Sequence, residues 1–281
     1  MNLIDIGVNL TDKLFAKDMV EVINRAETVG VLQMVVTGAH LYSSQQAADL
    51  CRQFPRQLVC TAGFHPHYAD QNQPSAWQKL QELWQLPQVR AIGETGLDFN
   101  RNLSTPQAQL DSFERHLQAA ADTDLPLFLH ARDAADEFIE LLRHYRHRFN
   151  NAVLHCFTGG RQFLDHLLDL DLYIGITGWI CDERRGRHLH ELVRHIPANR
   201  LMLETDAPYL IPRDLHPKPR SGRNEPAFLP HILATVANCR EESPQALAMS
   251  SQATASKFFG LNRITALTPP PAGQSHAIPN Y

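Results

Sequence analysis

Four polar side chains stand where apolar runs end. Glu94 follows Val89-Arg90-Ala91-Ile92-Gly93, His130 follows Leu127-Phe128-Leu129, His155 follows Ala152-Val153-Leu154, and Asp206 lies just beyond Leu201-Met202-Leu203-Glu204-Thr205. A lone histidine in such a place is usually a hydrogen-bonded structural residue. Two histidines, a glutamate and an aspartate at equivalent points of successive segments form a ligand set instead. Imidazole and carboxylate without thiolate suit Mg²⁺, Mn²⁺ or Zn²⁺ in a hydrolytic centre. In such a centre Glu94 bridges two cations or holds one, and His130 and His155 supply neutral nitrogen. Asp206 either ligates weakly or takes a proton from water as a general base. Glu94 and Asp206 are therefore the expected catalytic pair, within a metal set of Glu94, His130, His155 and Asp206.

His65 and His67 flank Pro66 after another apolar run. Alternation along an extended segment places both on one side. They can act as ligands, as contacts to a substrate phosphate, or as solvated loop residues. Arginine is dense in two further loops: Arg184, Arg185 and Arg187, then Arg213, Arg220 and Arg223 with Lys218. Guanidinium forks match phosphate geometry. His65, His67, Arg185 and Arg213 are accordingly the expected substrate contacts, and the expected substrate is anionic. Phe64, Tyr68, Phe99, Phe157, Trp179 and Tyr209 also fall near these segment ends, where an aromatic ring packs or stacks on a base.

The elements that must position these residues are short β-branched runs alternating with amphipathic ones. Strands are expected at residues 3–9, 32–37, 59–64, 89–94, 127–130, 152–155, 173–176 and 201–205. Helices are expected at 13–28, 42–54, 75–86, 105–123, 133–147, 160–170 and 184–195, with two more at 227–239 and 243–259. Continuous apolar strands separated by helices indicate a parallel sheet. Eight such units select a closed (β/α)8 TIM barrel over a doubly wound sheet, and barrel chemistry sits where the strands end. The barrel is expected to occupy residues 1–263 as one domain, with a proline-rich, disordered tail over 264–281.

The chain has 281 residues, 43% hydrophobic and 20% charged, enough for one such barrel. No apolar run reaches the length needed to span a bilayer, and the start lacks a signal-peptide pattern, so a cytoplasmic location is expected; a monomer is expected as well. Five widely spaced cysteines contain no CxxC pair, so the sequence suggests neither a disulfide framework nor a thiolate zinc site, and reduced, buried thiols are expected. The formal charge of −4 excludes bulk electrostatic attraction to nucleic acid and leaves only a local basic patch.

The segments AIGETGLDF, LFLHARD, VLHCFTGG, YIGITGWICDERRG and LMLETDAPYLIPRDL, in this order, resemble the TatD family of metal-dependent deoxyribonucleases. The likeness runs from about residue 3 to about 261. It implies a barrel of the metal-dependent hydrolase type, Mg²⁺-assisted hydrolysis of DNA from the 3′ end with single strands preferred, and a role in DNA repair. It also implies Glu94, His130 and His155 as metal ligands, with Asp206 joining them or acting on the water. One departure stands out. Most family members carry a His-x-His pair at the end of the first strand, where this chain has Gly7 and Asn9. One metal position is then weakened, or is completed by water, substrate and His65, which favours labile Mg²⁺ over a tightly held zinc pair. Two rivals remain: a small-molecule amidohydrolase or deaminase on the same barrel, and a non-catalytic metal-binding scaffold.

Overall fold

Each apolar run is a strand, and all eight pair in parallel in chain order. The computed structural model describes residues 1–261, so the tail expected over 264–281 and the boundary at 263 lie outside the described residues. The strands are β1 (Leu3–Val8), β2 (Val31–Val36), β3 (Leu58–Ala62), β4 (Val89–Asp98), β5 (Leu127–Arg132), β6 (Ala152–Leu154), β7 (Tyr173–Ile176) and β8 (Leu201–Leu203). The helices are α1 (Met19–Thr28), α2 (Leu41–Gln53), α3 (Pro74–Trp84), α4 (Pro106–Ala120), α5 (Ala135–Tyr145), α6 (Arg161–Asp169), α7 (Leu189–Leu192), α8 (Leu229–Arg240) and α9 (Pro244–Phe259). The sheet closes on itself just past β8. Val8 bridges Ala207, Asn9 N–H donates to Ala207 O at 2.7 Å, and Asp206 N–H donates to Gly7 O at 2.8 Å. The fold is the expected (β/α)8 barrel.

Two apolar layers hold it. The outer one lies between strands and surrounding helices, with Phe15, Phe113 and Phe138 fully buried. The inner one fills the barrel with Ile4, Ile6, Val35, Phe128, Val153 and Met202, closed below by Phe258 and Phe259 of α9. Strand side chains alternate faces, so a residue two places beyond an inward one also points inward, higher up. His130, His155 and Glu204 stand in that relation to Phe128, Val153 and Met202. The inner core thus sets the direction of the polar residues above it.

Local chemistry sets the helix ends. Thr105 accepts from Ala108 N–H ahead of Pro106, and Ser243 does the same for Ala246 ahead of Pro244. Gly260 ends α9 in the left-handed conformation at φ 61°. Two expected helices are shorter than their patterns. The 13–28 pattern is helical only from Met19, because Asp12 captures Leu14 N–H with its side chain and Phe15 N–H with its carbonyl. The 184–195 pattern yields only the single turn α7 and a 3-10 turn, Val193–His195, because Asp182 captures the N–H groups of Arg184, Arg185 and Gly186. β4 runs four residues past its expected end, to Asp98. Among the described residues no helix is long and apolar enough to cross a membrane. All five cysteines are free thiols, and Cys51, Cys60, Cys181 and Cys239 are buried.

Candidate metal centre

One carboxylate oxygen organises the mouth of the barrel. Glu94 Oε1 lies 2.7 Å from His155 Nε2, 3.1 Å from His130 Nδ1 and 3.4 Å from His65 Nε2. β4, the ends of β5 and β6, and the loop after β3 each deliver one of the four groups. One ligand atom each from His65, Glu94 and His130 lies within 4.8 Å of the other two. Asp206 completes the ring from the β8 side, and Asn9 Nδ2 donates to its Oδ1 at 3.0 Å. These residues line a cavity of about 410 Å³ together with His67, Tyr68, Asp98, Arg101, Arg132 and Tyr209.

Charge in the ring is mutually dependent. Burial alone would raise the Glu94 carboxyl, but the facing imidazoles of His65 and His155 and the bonds from His130 and His155 hold it well below the usual range. Burial opposes charge on His155 too, yet Glu94 and Glu204 push its imidazole well above its ordinary value. Burial lifts Asp206 to about 7 despite the opposing pull of His155. For His65 burial wins outright and lowers its pKa to about 3.

The donor set fits a divalent cation. His65, Glu94 and His130 bring oxygen and nitrogen atoms close enough to share one ion, with His155 on the same Glu94 oxygen, and His130 Nε2 is buried without a hydrogen-bond partner. His155 has the orientation a ligand needs. Its Nδ1 faces Glu204 Oε2 at 3.4 Å and its Nε2 faces Glu94 Oε1 at 2.7 Å, so the ring is fixed with Nε2 toward the other imidazoles, and a cation there would displace the Nε2 proton. His65 is set the other way. Its Nδ1 accepts the His67 N–H at 3.0 Å, so the neutral ring carries its proton on Nε2, toward Glu94.

Glu204 and Asp98 were missed by reading the sequence. Glu204 is fully buried and also accepts from Cys156 N–H. It occupies space that two glycines leave open: a Cβ would come within 2.3 Å of its Oε2 at Gly7 and within 2.7 Å of its Oε1 at Gly175. A carboxylate two residues beyond an inward Met202 was the available signal, overshadowed by Asp206 in the same run. Asp98 Oδ2 lies 2.7 Å from His67 Nε2 and 3.7 Å from His130 Nε2, and it is reached only because β4 is long. The remaining expected contacts sit apart from the ring. Arg185 binds Asp182 at 2.9 Å, stacks 4.2 Å over Trp179 and lines an adjoining groove, while Arg213 pairs with Glu183 at 2.9 Å. The cavity's own cations are Arg101 and Arg132.

The chain matches the family model described as TatD related DNase over residues 4–260. A protein of Citrobacter rodentium named 3′-5′ ssDNA/RNA exonuclease TatD is 52% identical over 257 residues, covering 92% of this chain and 97% of that protein. The protein of the same name from Salmonella typhimurium is 52% identical over 255 residues, covering 91% and 98%. Among solved structures, a TatD family hydrolase from Entamoeba histolytica shares the fold with a TM-score of 0.85 at 24% identity, covering 93% of this chain and 99% of that one. With the family model spanning nearly the whole barrel and half the residues shared with these relatives, the chain belongs to the TatD-related DNase family.

Proposed function

We propose that the protein is a Mg²⁺-dependent 3′→5′ exonuclease acting on single-stranded DNA, and on RNA as its relatives' name states. The observation that carries this reading is the convergence of His65, His130 and His155 on Glu94 Oε1, beside Asp206, in a cavity whose cations are Arg101 and Arg132. Glu94, His130, His155 and Asp206 would hold the cation. A bound divalent ion acidifies water and offsets charge on the attacked phosphate. The other tasks fall to the chain. Asp206, at the edge of the ring with its orientation fixed by Asn9 through Oδ1, is placed to accept a proton from water. His65, neutral and carrying its proton on Nε2, donates toward a phosphate oxygen or toward Glu94. Arg101 and Arg132 bind the backbone, and Tyr68 and Tyr209 offer ring faces for the terminal base.

The first strand supplies no nitrogen ligand. Gly7 and Asn9 leave one firm cation position, with a second filled only when substrate phosphate is present. Trimming of 3′ ends suits DNA repair. The amidohydrolase reading fits less well, since a neutral amide would meet two arginines in the cavity. The test is digestion of end-labelled single-stranded DNA and RNA with Mg²⁺ and with EDTA. Stepwise shortening from the 3′ end with Mg²⁺ alone is the expected outcome. Equal, negligible activity in both conditions, or shortening from the 5′ end, overturns it.

A further inference from the structure

Outside the barrel mouth, the described residues contain a second group of ligand-type side chains. Cys181 ends the 3-10 turn Gly178–Cys181 that follows β7. Asp214 lies in the long segment between β8 and α8, and His231 is in the first turn of α8. One ligand atom from each lies within 4.8 Å of the other two. His231 Nε2 is 2.7 Å from Asp214 Oδ1. Cys181 is buried, and its Sγ donates to Thr235 Oγ1 at 3.5 Å, one helical turn beyond His231. Three segments far apart in the chain thus place a thiol, an imidazole and a carboxylate around one point.

We propose that Cys181, Asp214 and His231 bind a thiophilic divalent cation, with Zn²⁺ the best match, as a structural site separate from the catalytic centre. The donor set decides the class of ion. Thiolate sulfur is a poor ligand for Mg²⁺ and a good one for zinc, and zinc accepts mixed sulfur, nitrogen and oxygen donors. Size agrees as well. Bonds of about 2.0 to 2.3 Å in a tetrahedron put ligand atoms roughly 3.3 to 3.8 Å apart. Closing to that span would require Asp214, whose side chain is 51% exposed, to rotate away from its contact with His231. Water would supply a fourth ligand beside the exposed Asp214 side chain. On binding, the Cys181 S–H bond breaks, its proton leaves to solvent, and the sulfur's electron pair forms the bond to the metal. The thiol alone does not ionise near neutrality, since burial pushes it up to about 12. His231 moves its proton to Nδ1 and turns the Nε2 lone pair to the ion. The ion would tie the loops after β7 and β8 to α8, and those loops carry Arg184, Arg185 and Arg213.

The test uses reduced, full-length protein loaded with Co²⁺, which reports a thiolate ligand through near-ultraviolet charge-transfer absorption. Wild type should show the band and lose it to added Zn²⁺. A Glu94→Ala/His130→Ala variant should keep it, as should Cys156→Ser, which removes the thiol nearest the barrel mouth. Cys181→Ser should abolish the band, and His231→Gln and Asp214→Asn should weaken cobalt binding by at least about tenfold. No band in wild type, a band that survives Cys181→Ser, or one lost in Cys156→Ser overturns the site. Should Cys181→Ser not fold, His231→Gln decides, and unchanged cobalt affinity in that variant overturns it equally.

Discussion

Glu94 and Glu204 are both carboxylates in the mouth of the barrel, yet their surroundings give them different tasks. Glu94 faces three imidazoles with one oxygen. Replacing it by Gln keeps the shape and removes the charge on which the ring depends. Mg²⁺ affinity, read by calorimetry, and turnover should each fall by about 10² or more. Retained turnover in Glu94→Gln would remove this residue from the ligand set. Glu204 acts through His155, facing its Nδ1 at 3.4 Å and so keeping Nε2 turned toward Glu94. Glu204→Gln should cost roughly 10- to 100-fold in Mg²⁺ affinity. At saturating Mg²⁺ its kcat should stand well above that of Glu94→Gln, a split that a directly ligating residue would not show. The four proposed ligands were legible as candidates in the sequence, since each is a polar residue emerging from an apolar run. Glu204 was not, because its role depends on two glycines, Gly7 and Gly175, contributed by other strands. No local pattern announces that a side chain on β8 fills space beside β1 and β7.

The seam between β1 and β8 shows the same dependence at the level of elements. Gly7 and Asn9 read as lost ligands in the sequence. In the fold Gly7 is a fitted surface against Glu204, and Asn9 orients Asp206. Restoring histidine at position 7 alone should therefore destabilise the protein, by about 2 kcal/mol or more, through collision with a buried carboxylate. Adding Glu204→Gly should recover part of that loss, and a double-mutant cycle by urea denaturation measures the coupling. Additive effects would mean that the two positions do not compete for space. Beneath them Asp5 ties the same seam, accepting from the N–H groups of Gly7 and Thr205 and from the Thr205 hydroxyl. Burial raises its carboxyl to about 8 against the pull of those bonds, whereas an unfolded aspartate titrates near about 3.9. Below about pH 4 both states hold the proton and the seam keeps its full contribution. As pH rises the unfolded chain ionises first, so the contribution is lost steadily until the folded group ionises near 8. Asp5→Asn keeps one acceptor oxygen and cannot ionise. Its stability relative to wild type, in EDTA, should rise by about 1 kcal/mol or more between pH 4 and 8. A difference that stays constant over that range would contradict a buried, proton-holding Asp5. Strand positions and helix order were legible from periodicity. The early part of 13–28 and most of 184–195 were not, because a single aspartate in each takes the backbone donors that a first turn would use.

Over the whole molecule, charge decides how substrate arrives. The net charge of −4 offers no general attraction to a polyanion. Many of the arginines that looked available in the sequence are spoken for: Arg185 by Asp182, Arg213 by Glu183, and Arg223 by Asp18 and Glu225. Arg101 and Arg132 line the cavity itself, and under the proposed function they are the phosphate contacts. Each contact to a single strand makes the logarithm of the binding constant fall by about 0.7 per decade of salt. Two contacts give a slope of about −1.4, far shallower than that of a protein with a broad basic face. Measured as kcat/KM on a short single-stranded oligonucleotide below saturation, wild type should show that slope. Arg132→Ala should reduce it to about −0.7 while weakening all sequences alike, since a phosphate contact carries no base information. A wild-type slope near −4, or one that Arg132→Ala leaves unchanged, would move the phosphate path away from the cavity wall and onto the arginine loops after β7 and β8. In that event Arg185, stacked on Trp179 in the adjoining groove, becomes the residue whose removal should flatten the slope.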